Sequence, residues 1–181
     1  MNFKIVISQL FVASILLGAL PLAAQPGGPE DKGCPDISGF VIIGEMEIIT
    51  FKEKNLRLKA RIDTGATTSS LGVFAQQPFE RDGKKWLQFS VKDPDSKKDI
   101  DFERPVQRIA EIKRHGAEAM ERPVVKMKIM LGNIEMEREF TLADRSKFTF
   151  PVLIGRNVLS AKFLVDVNRK YITQRVGETE E

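Results

Sequence analysis

The feature that most constrains the fold of this chain is a recurring alternation of apolar and polar residues. Short runs rich in β-branched and apolar residues are separated by turn residues, and several runs alternate with a period of two. This period is typical of strands that bury one face. Residues 131–134 (LGNI) and 81–84 (RDGK) have the composition of tight hairpin turns. The predicted strand runs are residues 40–49, 56–62, 86–91, 124–131, 134–142, 150–155 and 163–167.

One short segment, residues 156–162 (RNVLSAK), predicts a helix near the end of the chain. A chain of 181 residues is long enough for one domain with a proper core. The sequence therefore predicts an all-β fold, a small closed barrel with one short C-terminal helix. A charged insertion between residues 76 and 102 is interpreted as a solvated surface hairpin.

The first 24 residues have the pattern of a signal peptide. Lys4 precedes an almost wholly apolar run at 5–22, and Ala23 and Ala24 supply the small residues of a cleavage site. Cleavage near Ala24 predicts an exported, periplasmic protein. The competing interpretation is an uncleaved membrane anchor, since an apolar run of about 18 residues is the minimum that spans a bilayer. We assign residues 25–38 to a linker, 39–175 to the domain and 176–181 to a tail.

The composition argues against several classes of function. The chain has a net charge of +3 and no basic stripe, so nucleic acid is not expected as a partner. A single Cys cannot form an internal disulfide, and one Cys with one His does not provide a usual zinc site, so no metal is expected. The glycine-rich phosphate-loop motif does not occur, so neither ATP nor another cofactor is expected.

Asp63 stands directly behind an apolar residue in a Thr-Gly turn, within the segment ARIDTGATTSSL at 60–71. A carboxylate acts as a general base on water only when its proton affinity and its rotamer are controlled. Two carboxylates within hydrogen-bonding reach cannot both ionise, so one becomes a base and the other an acid. One turn supplies one acid, however, and an Asp-Thr-Gly triplet is often an ordinary turn. The motif alone therefore leaves both interpretations open.

A second segment makes the motif more specific. The sequence LIGRNVL at 153–159 places an apolar strand and a glycine directly before the predicted helix. Together with IDTGA at 62–66 it resembles the retropepsins, the retroviral aspartic protease family, over residues 40–172. Further segments, from PFERDGKKWLQFSV to FLVDVNRKYI, resemble a bacterial branch of retropepsin-like aspartic peptidases that is often labelled ATP-dependent zinc protease. The residues support the aspartic part of that label and neither zinc nor ATP.

The resemblance implies a role for each residue of the turn at 63–66. Asp63 would be the catalytic acid or base, Thr64 would form an interlocking contact beneath it, and Gly65 would allow close backbone approach. Ala66 would belong to the substrate site, and it stands where pepsins carry a hydroxyl residue. Losing that hydroxyl removes a hydrogen bond that favours the ionised acid, which implies a working pH less acidic than that of a pepsin.

The same resemblance makes Gly155, Arg156 and Asn157 a structural brace. Gly155 would let its strand pass close to the Asp63 turn. Arg156 and the helix that follows it would support the base of the active site and of the dimer.

Arg156 also marks a departure from the retroviral pattern. Retroviral enzymes commonly carry an acid after the Gly-Ala pair that can pair with this arginine, whereas this chain has Thr67 and Thr68. Arg156 is therefore expected to pair with Asp144 or Asp166, or to remain an ordinary surface residue. The departure bears on how the dimer base is built more than on the role of the acid in the turn.

Retropepsins close over substrate with a β-hairpin, the flap, between the Asp turn and the later strands. The matching segment is residues 108–119, where Gly116 would supply the turn and His115 would stand at its tip, both in the substrate site. This segment is charged, whereas retroviral flaps are glycine-rich and apolar at the tip, so a polar or charged substrate is inferred. His115 is interpreted first as an exposed turn residue, with substrate contact or pH sensing as the alternative.

The leading prediction is an aspartic endopeptidase that acts on a peptide or protein substrate. Because each chain has one Asp63 turn, the catalytic dyad would require a homodimer with twofold symmetry. The alternative is a non-catalytic peptide-binding module that keeps the fold and holds a peptide by sheet-edge addition. A third interpretation is a hydrolase driven by a metal or a nucleotide. Metal-dependent activity would be needed to support it.

Overall fold

Strands dominate the computed structural model, and one short helix lies near the end of the described chain. The structure describes the backbone of residues 36–114, 117–160 and 162–174, without the side chains of 112–114 and 117–119. In chain order the elements are β1 (Val41–Gly44), β2 (Met46–Phe51), β3 (Leu56–Ile62), β4 (Ser69–Gly72), β5 (Phe74–Arg81), β6 (Lys84–Lys92), β7 (Asp99–Arg114), β8 (Ala117–Leu131), β9 (Ile134–Ala143), β10 (Val152–Ile154), α1 (Arg156–Leu159) and β11 (Phe163–Asp166).

Six strands close into a barrel in the order β2-β3-β10-β4-β9-β8, and the pairing of β2 with β8 completes the ring. The alternation in the sequence sets which face is inside. Along β3, Leu56, Leu58, Ala60 and Ile62 are buried, whereas the cations between them are exposed. Burying a leucine-sized side chain stabilises a fold by about 1.5–3 kcal/mol. The prediction of an all-β fold with a small closed barrel is confirmed.

Beyond β8 the sheet extends through β7, β6 and β5 as long antiparallel strands. Apolar residues hold this extension together, with the rings of Phe89 and Phe102 stacked at a centroid distance of 5.6 Å. At the turn between β6 and β7, a hydrogen bond from the Ser96 hydroxyl is the main cause that lowers the pKa of Asp93. Residues 94–99 at this turn are exposed, as expected for a solvated hairpin. The rest of the insertion at 76–102 is not a purely solvated hairpin, because Leu87, Phe89 and Val91 of β6 are buried in the core.

The predicted strand run at 40–49 is divided at Glu45. β1 pairs in parallel with β11 in a separate two-stranded sheet, whereas β2 enters the barrel. The Glu45 amide donates to the Arg169 carbonyl at 2.8 Å, and the Ile62 amide donates to the Glu45 carbonyl at 3.0 Å. A period-two pattern passes through both strands, so it does not reveal where the chain changes sheets.

The buried side chain of Glu47 fastens the last described segment to the barrel. Its carboxylate accepts hydrogen bonds from the amides of Gly44 at 2.6 Å and Ile172 at 3.2 Å. The amide and the hydroxyl of Thr173 donate to it at 3.2 and 2.7 Å. A buried carboxylate is tolerated where such donors replace water.

The helix covers only Arg156–Leu159 and is shorter than the predicted segment 156–162. It follows β10 almost directly and buries Val158 and Leu159. Among the described residues, no helix is both long and apolar enough to cross a membrane. The predicted signal peptide, nearly all of the predicted linker and the predicted tail lie outside the described residues.

Candidate active site

The backbone holds Asp63 at the end of β3. Its amide donates to the Ile154 carbonyl of the neighbouring β10 at 2.9 Å. Its carboxylate oxygen Oδ1 accepts hydrogen bonds from the amides of Gly65 at 2.9 Å and Ala66 at 3.1 Å. The side chain is half-buried. Two amide donors on one oxygen fix the rotamer of this acid, as a group that acts on water requires.

Gly155 lies where β10 passes against the Asp63 turn, and no larger residue fits there without movement. A Cβ at this position would stand 2.8 Å from the Ala66 carbonyl oxygen and 2.9 Å from the Thr68 carbonyl carbon. Both are backbone atoms, so a larger residue could not be accommodated by a side-chain rotation. The sequence prediction of a close strand approach at this glycine agrees with this geometry.

Arg156 binds the turn itself. Its guanidinium donates to the carbonyls of Thr64 at 3.1 Å and Gly65 at 2.7 Å, and to the Thr67 hydroxyl at 2.9 Å. Thr67 stands where retroviral enzymes carry an acid, and its hydroxyl serves as the acceptor instead. The backbone carbonyls provide the remaining acceptors, which the sequence alone could not show.

The predicted pairing of Arg156 with Asp144 or Asp166 is therefore wrong. Asp166 forms an ion pair with Arg169 at 3.3 Å. Asp144 accepts a hydrogen bond from the Ser146 amide at 2.8 Å, and this bond is the main cause that lowers the pKa of Asp144. The arginine is exposed, but all the described hydrogen bonds of its guanidinium go to residues 64–67.

Asn157 links the helix to two barrel strands. Its carbonyl oxygen accepts from the Ser69 amide at 2.9 Å and from the Ser69 hydroxyl at 2.8 Å. Its side-chain amide donates to the Glu139 carbonyl at 2.8 Å. The Ser69 hydroxyl in turn accepts from the Gly155 amide at 3.0 Å. The segment 155–157 is thus tied to the turn segment 63–69 by side-chain and backbone bonds.

A cavity of about 680 Å³ opens beside the turn and forms a candidate substrate cleft. Its lining combines residues after the turn with cations from β7, β8 and the 144–151 loop. These residues include Ala66, Thr68, Ser70, Arg108, Arg122 and Arg145.

Arg145 is held firmly in this lining. Its guanidinium carbon lies 4.5 Å from the centroid of the Phe148 ring, and its Nε donates to the Phe150 carbonyl at 3.0 Å. Burial lowers the pKa of Arg145, the positive charge of Arg122 lowers it further, and the negative charge of Asp63 opposes the shift. The guanidinium therefore lies within electrostatic range of the candidate catalytic acid.

The structure brings most of the predicted site residues together. Thr64 and Gly65 are exposed on the turn, and Ala66 lines the cleft. The long hairpin of β7 and β8 occupies the place predicted for the flap, with Arg114 paired to Ala117 at its described end. The predicted tip residues, His115 and Gly116, lie outside the described residues.

Sequence reasoning missed Ser70, Arg122 and Arg145. Ser70 lies seven positions beyond the acid, in a strand too short to show a pattern. Arg122 precedes a proline, which in a strand favours an edge or an end, whereas it lies inside β8 and lines the cleft. The available signal for Arg145 was its place in a loop that leads into the LIGRNVL segment.

The comparison with known families decides the assignment. Residues 42–176 match the family described as RimB-like, retropepsin-like aspartic endopeptidase RimB. The chain belongs to this family. The matched residues contain the whole six-stranded barrel, the Asp63 turn and the helix, so the predicted retropepsin resemblance is confirmed for this RimB-like chain.

Several similar bacterial proteins carry a different description. The RimB-like chain is 32% identical over 142 residues to a probable alpha-L-glutamate ligase of Shewanella pealeana. The alignment covers 77% of this chain and 31% of that protein. A probable alpha-L-glutamate ligase of Desulfotalea psychrophila is 32% identical over 128 residues, covering 69% and 28%. The chain therefore spans about a third of the length of these relatives.

A solved structure supports the fold assignment. A Legionella pneumophila protein of unknown function (DUF785) aligns with a TM-score of 0.64 and 30% sequence identity. The alignment covers 74% of this chain and 98% of that chain. The Legionella chain therefore consists almost entirely of the domain that this chain shares with it.

Proposed function

We propose that this RimB-like protein is an aspartic endopeptidase whose catalytic dyad is formed by Asp63 of two protomers. The observation that carries the proposal is the turn geometry, in which two amides hold one oxygen of the half-buried Asp63 beside a cleft. The family match supports the same assignment. The relatives that match over part of their length are described as probable ligases, and this description does not support hydrolysis. A direct test of hydrolysis is therefore necessary.

The two carboxylates would divide the work of hydrolysis. The ionised Asp63 of one protomer takes a proton from a water held between the two acids, and that water attacks the scissile carbonyl carbon. The protonated Asp63 of the other protomer donates a hydrogen bond to the carbonyl oxygen, which gains negative charge as the tetrahedral intermediate forms. A proton is then returned to the amine, and the carbon–nitrogen bond breaks.

Exposed residues near the turn support a homodimer. Thr64 and Gly65 are exposed in the single chain, next to the acid that would need a partner. The separate sheet of β1 and β11 adjoins Ile62 through Glu45. Ile42 in this sheet is exposed, as are three apolar residues near its strands in the chain: Ile37, Phe40 and Val167. Exposed apolar residues around one sheet favour contact with another protein surface.

The charge of the cleft favours a peptide substrate with acidic side chains. Arg108, Arg122 and Arg145 all contribute to the lining, against one acid, Glu111. Cations in a partly dehydrated cleft attract carboxylates more strongly than cations in open solvent do. The ligase description of the partial relatives names glutamate, an acidic amino acid, which fits the same preference. Export to the periplasm remains a proposal based on the leader.

The test uses the chain from Gln25 and its Asp63→Asn variant. Cleavage of an unbiased peptide library is followed from pH 4 to 8, with and without a chelator, and the molar mass of both proteins is taken by light scattering. We expect a dimer whose activity persists in chelator and disappears in the variant. A variant that cuts as well as the parent would show that the activity does not come from this dyad.

The second candidate is a peptide-binding module without catalysis. It is favoured by β5, which forms one end of the extended sheet and is largely exposed, so its edge is open to an added strand. Monomeric protein that binds peptides and does not cleave them would select this candidate over the peptidase.

A further inference from the structure

The cleft contains a buried hydroxyl that no described group satisfies. Ser70 is 5% exposed and lines the cavity, yet its Oγ has no hydrogen-bond partner among the described residues. Its neighbours on either side do not offer one. Leu153 is apolar, and the hydroxyl of Thr141 donates instead to the Ser69 carbonyl at 3.2 Å. A buried hydroxyl without a partner is unfavourable, so a ligand that accepts its hydrogen bond would be stabilised here.

The same cavity holds a fixed cation that has no acid beside it. Among the described residues no carboxylate lies within 4.0 Å of the Arg145 guanidinium, whereas Arg108 is paired with Glu139 at 2.8 Å. Stacking on Phe148 and the bond to the Phe150 carbonyl set the orientation of Arg145. Arg122 adds positive charge near it, as the lowered pKa of Arg145 indicates.

We propose that Ser70 and Arg145 form a carboxylate subsite in the cleft, where the Ser70 hydroxyl donates a hydrogen bond and the Arg145 guanidinium supplies the charge. Arg122 strengthens the positive potential of the subsite. Because the subsite is placed in the cleft beside Asp63, its role as a substrate subsite rests on the proposed function. It goes beyond a general preference for acidic substrates by assigning recognition of one carboxylate to two residues, one of them uncharged.

Binding is measured on the Asp63→Asn chain, which separates recognition from turnover. Three labelled pentapeptides are the probes: acetyl-Ala-Ala-Glu-Ala-Ala amide, its Gln counterpart, and the Gln counterpart with a free C-terminal carboxylate. Tight binding of the first peptide alone assigns the subsite to a side-chain carboxylate. Tight binding of the third instead would assign it to a chain terminus. Equal binding of all three would overturn the proposal.

The variants Ser70→Ala and Arg145→Met test the two assigned residues. Loss of a hydrogen bond to a charged group corresponds to about tenfold in affinity or more, and we expect this loss for the Glu peptide in both variants. The Gln amide peptide should change by less than about twofold. Arg145→Lys keeps the charge without the planar donor set and should restore part of the affinity.

Matched controls separate recognition from folding. Arg81 is also stacked on aromatic rings, at 4.6 Å from the Trp86 centroid, but lies on β5 outside the cleft. Ser90 is a buried serine whose hydroxyl is satisfied by Asp101 at 2.6 Å. Arg81→Met and Ser90→Ala should therefore leave the Glu-to-Gln affinity ratio unchanged.

Thermal unfolding supplies a readout that a structural role would not share. Since Ser70→Ala removes an unsatisfied hydroxyl, we expect its melting temperature to stay equal or rise while binding of the Glu peptide weakens. A fall in both quantities, or equal losses for Glu and Gln peptides, would overturn the proposal. Glu-selective binding without hydrolysis by the parent chain would contradict the proposed function and leave the subsite standing. Hydrolysis without Glu selectivity would do the reverse.

Discussion

Asn157 and Ser69 are 88 positions apart in the chain, and two hydrogen bonds of 2.9 and 2.8 Å join them. These bonds connect the start of the helix to the strand that follows the Asp63 turn. A third bond, from the side-chain amide of Asn157 to the Glu139 carbonyl, adds β9 to the same junction. The position of the turn thus depends on a residue far from it in sequence.

The Asn157→Ala variant should lose both stability and order at the turn. It removes three hydrogen bonds at a half-buried site, and we expect the free energy of unfolding to fall by about 2–4 kcal/mol. Denaturant unfolding measures the loss. Asn168→Ala, at an exposed position, is the control and should change stability by less than about 0.5 kcal/mol. Equal losses of stability in the two variants would contradict a stabilising role for the Asn157 hydrogen bonds.

Gly155→Ala should destabilise the site by overlap of its Cβ with backbone. The new atom would stand 2.8 Å from the Ala66 carbonyl oxygen, and overpacking of this kind costs about 1–3 kcal/mol. Gly39→Ala is the matched control, since a Cβ there meets nothing within 4 Å. The denaturant midpoints of unfolding of the two variants measure this loss of stability. A Gly155→Ala protein as stable as Gly39→Ala would show that β10 can move away from the turn.

Glu47→Gln should loosen the segment that contains Ile172 and Thr173. The carboxylate accepts four hydrogen bonds, and an amide nitrogen in place of one oxygen would face donors instead of acceptors. Breaking a buried charged network of this kind costs about 2–4 kcal/mol. Hydrogen exchange at the Ile172 and Thr173 amides should accelerate. Glu135→Gln, at an exposed position, is the control. Comparable exchange rates in the two variants would show that Glu47 does not hold this segment.

Thr67→Asp should restore an acid opposite Arg156. The Arg156 guanidinium already donates to the Thr67 hydroxyl at 2.9 Å, so a carboxylate would fall within reach of it. Because both residues are exposed, the gain should be at most about 1 kcal/mol and should decrease with salt. Unfolding at 0.02 and 0.5 M salt, as rough bounds of weak and strong screening, checks the direction. A destabilised variant at low salt would contradict the assigned contact.

The sequence was sufficient for most strands, the barrel class and the Asp63 and Gly155 segments, whereas β4, β5 and β7 were not among the predicted strand runs. The period-two alternation in β3 and the LIGRNVL segment are local signals. Local signals can be recognised in the sequence without knowledge of the fold. The boundary at Glu45 was not predictable, because it depends on a backbone bond to Arg169. The predicted end of the helix at residue 162 was too late, since Ser160 already forms the C-cap.

Side-chain partners across the fold could not be predicted at all. Arg156 was expected to pair with an acid, but its guanidinium donates to backbone carbonyls of the turn. Every residue has a backbone carbonyl, so the sequence does not indicate which carbonyls serve as acceptors. Ser70 and Arg145 lie 75 positions apart, yet both line the cleft, because the fold places β4 between β9 and β10. Nothing in the residues near either one indicates the other.

The most direct test of the central claim is a subunit-mixing titration of peptidase activity. Parent protein is mixed with an equal amount of Asp63→Asn protein, allowed to exchange subunits, and assayed against its best library peptide at constant parent concentration. If each site requires Asp63 from both protomers, mixed dimers are inactive and activity falls to about half of the unmixed value. If one chain acts alone, activity stays at its unmixed value, and that result would contradict the shared dyad.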